Sequence, residues 1–134
     1  MIDKYLKQWL IKALEDFRVA KHELALQEKE VATSAVCFHC QQAVEKLLKA
    51  YLILKNTDFE RTHDLTYLLD LCSKHDPNFN KFSVEELTSY AVEIRYPDEF
   101  YVPSVKEAKV CFEKAAEVKD FVFNKLKIKD KDLL

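Results

Sequence analysis

The segment that decides the fold is CFHCQQAVEKLLKAYLIL, residues 37–54. Its apolar residues recur at spacings of three and four, which is the period of an α-helix. The apolar face consists of Cys40, Ala43, Val44, Leu47, Tyr51 and Leu54. Four polar residues, His39, Gln42, Lys46 and Lys49, follow the edge of that face and are called the polar row below. An imidazole, an amide and two ammonium groups in register can bind an anion, so the polar row is the first candidate site.

Outward from this segment, the same periodicity predicts four more helices. The five predicted helices cover residues 3–28, 33–55, 63–75, 83–96 and 104–126. Residues that favour N-caps stand near each predicted start: Asp3, Thr33 or Ser34, Thr62, Ser83 with Glu86, and Ser104 with Glu107. The last two pairs have the spacing of a capping box.

Short connections between amphipathic helices are typical of an all-α up-and-down helical bundle, here of about five helices. We expect one domain over residues 1–126 and a charged tail over 127–134 that frays. The long helices are rich in aromatic residues, and apolar surface left over on them would favour a homodimer.

Composition excludes several classes of protein. Glycine is absent from the 134 residues, which argues against an all-β fold and against a glycine-rich phosphate loop. The net charge of −2 gives no global positive field, so any nucleic-acid binding must come from a local patch. No apolar run reaches the roughly 18–20 residues of a membrane span, and the N-terminal residues do not resemble a signal peptide. We therefore expect a cytoplasmic protein.

The four cysteines allow three interpretations. Cys37 and Cys40 form a CxxC pair, but the pair lies within a helical pattern, whereas redox pairs usually begin a helix after a strand. A metal site would need Cys72 and Cys111, or histidines, to converge on this pair. We expect ordinary buried thiols, no metal ion and no cofactor.

Two further polar clusters stand at residues 61–64 and 93–98. Together with free backbone N–H groups at a helix start, His63 and Arg95 could hold an anion. Simpler interpretations remain open for each residue. His63 can be a residue near a helix N-terminus, Arg95 can pair with a neighbouring carboxylate, and the lysines of the polar row can form a solvated face.

Three motifs then occur in a characteristic order: FHCQQAVEKLLKA at 38–50, THDL at 62–65 followed by Leu68 and Leu69, and RYP at 95–97. The chain thereby resembles the HEPN domain family over residues 9–123. The resemblance implies an α-helical bundle that is usually dimeric and often paired with a minimal nucleotidyltransferase, as in toxin–antitoxin modules.

Many members of that family are metal-independent ribonucleases with an arginine followed, after four to six residues, by a histidine. After Arg95 this chain has no histidine up to residue 102. Tyr101 is a poor replacement, because tyrosine has a pKa of about 10 against about 6.5 for histidine. We therefore favour binding over cleavage.

The function expected from the sequence is a nucleotide- or RNA-phosphate-binding module that partners a nucleotidyltransferase. Its candidate residues are His39, Gln42, Lys46, Lys49, His63 and Arg95, and no catalytic residue is assigned. One alternative is a ribonuclease with a rearranged site that uses Arg95 with Tyr101 or His63. The other is a purely structural interaction partner.

Overall fold

A computed structural model of the chain describes residues 3–90 and 101–133, and within these ranges it contains five α-helices and no β-strand. The helices are α1 (Lys4–Leu24), α2 (Thr33–Leu54), α3 (Leu65–His75), α4 (Glu85–Thr88) and α5 (Val105–Leu126). Short 3₁₀ turns occur at Glu28–Glu30, Pro77–Lys81 and Asp130–Leu133. The predicted all-α helical bundle is confirmed.

Helix α2 is the centre of the bundle, because α1, α3, α4 and α5 all pack against it. Apolar side chains on several sides of α2 are fully buried: Val36, Val44, Leu47, Leu48 and Leu52. Each such side chain contributes roughly 1.5–3 kcal/mol relative to an exposed one. Because α2 has neighbours on several sides, many polar residues at the edge of its apolar face are also buried. A sequence pattern with one apolar face does not predict that burial.

Two of the predicted N-caps are confirmed. The Asp3 carboxylate accepts a hydrogen bond from the Leu6 backbone N–H at 2.8 Å. At the start of α5, Ser104 and Glu107 form the predicted capping box, in which each side chain accepts a hydrogen bond from the backbone N–H of the other residue. These caps satisfy N–H groups that have no partner within the helix.

The other three predicted caps are wrong. Helix α2 starts after Ala32, whose N–H group donates to the Glu23 carboxylate of the preceding helix at 2.8 Å. Asp64 caps α3 instead of Thr62, whose hydroxyl accepts from the Asp64 N–H. Helix α4 starts after Val84 without a side-chain cap.

The fourth predicted helix, 83–96, overlaps α4 at residues 85–88. The rest of its predicted course runs into residues 91–100, which lie outside the described part of the chain. Arg95 and the expected end of this helix at residue 96 fall there.

Residues 127–133 follow α5 and belong to the tail, 127–134, that is expected to fray. Leu133 is only 5% exposed, and the 3₁₀ turn that holds it contacts α1. Lys119 of α5 forms an ion pair with Asp130 at 2.9 Å. One buried leucine and one ion pair therefore hold this segment against the bundle. None of the described helices is both long enough and apolar enough to cross a membrane.

Candidate anion site on helix α2

The first part of the site is centred on Asp16 of α1, which is 8% exposed. Its two carboxylate oxygens accept from different residues of α2: Oδ1 from His39 Nδ1 at 2.8 Å, and Oδ2 from Lys46 Nζ. An ionised carboxylate can only accept, so the His39 proton lies on Nδ1 and Nε2 is left for another partner. Asp16 therefore fixes the orientation of two members of the polar row.

The second part is centred on Glu45 of α2, which is 4% exposed. Its Oε2 accepts from Lys49 Nζ at 3.0 Å, and its Oε1 accepts from His63 Nδ1 at 2.8 Å. His63 precedes α3, and its side chain is 65% exposed. As with His39, a buried carboxylate anchors Nδ1, and no described residue forms a hydrogen bond with Nε2.

Gln41 completes the Glu45 network from a fully buried position. Its Nε2 group donates to Glu45 Oε1 at 3.2 Å and to the His63 backbone carbonyl at 3.1 Å. Its Oε1 atom accepts from Gln42 Nε2 at 2.7 Å. Both N–H donors of the amide and one of its two acceptor positions are thus used, and the amide attaches the segment before α3 to α2.

Lys49 is directed into the protein rather than towards a ligand. It is 6% exposed, and its ammonium group lies 5.7 Å from the centre of the Trp9 ring and 5.8 Å from that of Phe59. Aromatic faces and the Glu45 carboxylate together replace the water that this charge loses on burial.

The local charges are balanced: Lys46 and Lys49 are matched by Asp16 and Glu45. An anion at this surface would therefore meet oriented donors rather than a large excess of positive charge. Such donors bind well where the structure has already fixed their direction.

The six sequence-predicted residues are distributed as follows. The structure brings His39 and Lys46 together on Asp16, and Lys49 and His63 together on Glu45, and it joins Gln42 to the second network through Gln41. Arg95 lies outside the described residues, so its distance from both networks is not defined.

Sequence reasoning missed Asp16, Gln41 and Glu45. A signal for Asp16 was present, because it follows Ala13 by three residues and precedes Ala20 by four, on the buried stripe of α1. A carboxylate within an apolar stripe needs a partner. Gln41, Glu45 and Lys49 repeat at intervals of four, the spacing at which helical side chains meet.

All four thiols are free and buried, in agreement with the interpretation from sequence. Burial raises the pKa of Cys72 to about 12 and also raises that of Cys40. Cys37 hydrogen-bonds to Cys111, which lowers the pKa of Cys111 and raises that of Cys37. Within residues 3–90 and 101–133, no three His, Cys, Asp or Glu side chains are grouped so that they could hold a metal ion.

Tyr101, named in the ribonuclease alternative, is engaged elsewhere. Its hydroxyl donates to the Glu107 carboxylate of the α5 capping box, and this bond raises the tyrosine pKa. A hydroxyl that holds its proton more tightly is a weaker general base near neutral pH. The geometry therefore gives Tyr101 a structural role at the start of α5.

The family model of the HEPN domain matches residues 6–128 of the chain. No curated protein and no solved structure matches. The match covers all five described helices apart from the first two residues of α1.

Proposed function

Because the chain belongs to the HEPN domain family, we propose that it is a nucleotide- or RNA-phosphate-binding module that acts with a minimal nucleotidyltransferase in a toxin–antitoxin-like pair. His39, His63, Lys46 and Gln42 would contact the ligand, and Arg95 would supply a further cation. Lys49 would act indirectly, by holding Glu45 in place.

One observation carries this proposal: two imidazoles are anchored through Nδ1 on buried carboxylates, and no described residue forms a hydrogen bond with Nε2 of either ring. When the ring carries a proton on both nitrogens, its Nε2–H group can donate to a phosphate. Lys46 shares the Asp16 anchor, so its ammonium group is also held in position. Donors that are already oriented lose little conformational entropy when a phosphate binds. This arrangement suits a small anionic group more than an extended protein surface.

The test is direct binding of adenine nucleotides and of a short single-stranded RNA, measured by calorimetry. We expect the Lys46→Ala/Arg95→Ala double variant to bind at least tenfold more weakly, since a hydrogen bond to a charged group contributes about 1.5–3 kcal/mol. The exposed lysines Lys21 and Lys109 give a matched control, because their double alanine variant removes the same charge. Wild-type affinity in the first variant would refute these residue roles, and a wild type without affinity for any nucleotide or RNA would refute the function.

The partner is tested separately. Purified protein should retain a minimal nucleotidyltransferase on a column without added nucleotide, and light scattering should give the mass of a homodimer. A monomer mass that does not change with concentration would contradict the dimer.

A second candidate function, metal-independent RNA cleavage, is favoured by one contact. Because Asp16 accepts the Nδ1 proton of His39, Nε2 is the basic nitrogen, as it is in a general base oriented by a carboxylate. Single-stranded RNA incubated with the protein and a chelator should then be cut, and His39→Gln should abolish cutting. Intact RNA at high protein concentration would eliminate this candidate.

A further inference from the structure

An open pocket of about 260 Å³ lies where α1 meets α2, beside the Asp16 network. Its lining consists of Tyr5, Gln8, Trp9, Lys12 and Lys46. The first four residues follow one another at helical spacing on one side of α1, and Lys46 belongs to the polar row. This pocket therefore extends the proposed site onto a second helix.

The pocket presents two aromatic rings at right angles. The centres of the Tyr5 and Trp9 rings are 6.4 Å apart, and their planes make an angle of 88°. Tyr5 is 58% exposed although it is a large aromatic residue. A planar group can stack on one ring while its edge meets the other.

The lining of the pocket contains two lysines, Lys12 and Lys46, and no described carboxylate. Both lysines have a carboxylate partner outside the lining: Lys12 forms an exposed ion pair with Glu15 at 3.3 Å, and Lys46 is bound by Asp16. Because an exposed ion pair is weak, Lys12 can exchange Glu15 for a phosphate. Three other cavities each include at least one glutamate in the lining. Aromatic rings beside lysines form the combination that proteins use to bind unpaired bases together with their phosphates.

We propose that this pocket binds one nucleotide, with the base on the Tyr5 and Trp9 rings and the phosphate between Lys12 and Lys46. The volume is below the roughly 300–1,000 Å³ of pockets for drug-sized ligands, so it suits a base with the sugar and phosphate directed outwards. This inference rests on the proposed function and gives it a location and a ligand class. The nucleotide can be free or can be one unit of single-stranded RNA.

Trp9 makes the proposal simple to test, because it is the one tryptophan of the chain. We expect adenosine monophosphate, or an oligoadenylate RNA, to change the Trp9 emission in a saturable way. Tyr5→Ala should weaken binding about fivefold or more, since stacking contributes about 1–3 kcal/mol per base, whereas Tyr5→Phe keeps the ring and should retain wild-type affinity. Lys12→Ala should weaken binding, and Lys21→Ala, also on α1 and exposed, serves as the control.

The outcomes separate the two proposals. Calorimetric binding by the wild type that leaves Trp9 emission unchanged and is insensitive to Tyr5→Ala would overturn the pocket while the proposed function stands. Absence of binding in calorimetry would overturn both.

Comparison of adenosine monophosphate with the oligoadenylate RNA shows whether the protein binds a free nucleotide or a nucleotide within RNA. If RNA is the ligand, the slope of log affinity against log salt should fall by about 0.7 in Lys12→Ala, the value for one lost phosphate contact on a single strand. If the free nucleotide is the ligand, it should bind at least as tightly as the RNA.

Discussion

At the scale of single residues, the buried carboxylates of Asp16 and Glu45 organise the site. Each one accepts hydrogen bonds from a lysine and from a histidine Nδ1. The motif residues of α2 therefore have a structural task in addition to any contact with a ligand. A substitution of one of these α2 residues is expected to affect both the stability of the fold and the geometry of the site, unless it keeps the charges paired.

The Glu45–Lys49 pair gives a prediction for stability. Glu45→Leu leaves the Lys49 charge buried without its carboxylate, so we expect a loss of about 3–5 kcal/mol in the free energy of unfolding. The double variant Glu45→Leu/Lys49→Met removes both charges and should recover a large part of that loss. Denaturant unfolding of the three proteins measures both effects. A double variant as unstable as the single one would show that charge burial is not the cause.

The thiols give a prediction for reactivity. Cys111 lines a cavity of about 240 Å³ beside Lys114, and the hydrogen bond from Cys37 lowers its pKa. Since the thiolate is the nucleophile, iodoacetamide should modify Cys111 of the native protein before Cys40 or Cys72, whose pKa values are raised by burial. Peptide mass spectrometry after short exposure identifies the modified residue. Earlier modification of Cys72 would contradict this order.

At the scale of elements, some helices begin at a side-chain cap and others begin without one. Helix α5 begins after a complete capping box at Ser104, whereas α2 begins after Ala32 without a side-chain cap. The N–H of Ala32 is instead satisfied by Glu23 of α1. The start of α2 thus depends on the packing of its neighbour.

Ser104→Ala and Ser34→Ala form a matched pair that tests this difference. The first should lower the free energy of unfolding by about 1 kcal/mol, the usual value of an N-cap. The second removes an exposed hydroxyl that caps nothing, so its effect should stay within about 0.5 kcal/mol. Thermal or denaturant unfolding measures both. Equal losses would contradict the assignment of the caps.

The elements also show why the fold was predictable and much of the site was not. Apolar spacing and the α5 capping box are local signals, and they predicted the helices and the bundle. The Asp16 contacts join residues 23 and 30 positions apart, and they depend on how α1 lies over α2. The polar row was therefore identified without the carboxylates that hold it, and Lys49 was expected at a surface although it is buried.

At the scale of the whole molecule, α2 joins the core to the candidate site. It contacts the other four described helices, and its polar edge carries both carboxylate networks. The pocket proposed to bind a nucleotide lies on the same side, between α1 and α2. A ligand bound there would touch the most buried helix of the bundle. Because a ligand that binds only the folded state stabilises that state, we expect it to raise the melting temperature of the protein.

The most direct test of the central claim is a two-dimensional amide NMR titration of the isotope-labelled wild-type protein with adenosine monophosphate. It locates the ligand without any substitution. We expect saturable shifts grouped on α1 from residue 5 to 16, on α2 from 39 to 46 and near His63. Unchanged spectra at saturating nucleotide, or shifts grouped on α5 away from α1 and α2, would exclude nucleotide binding at this site.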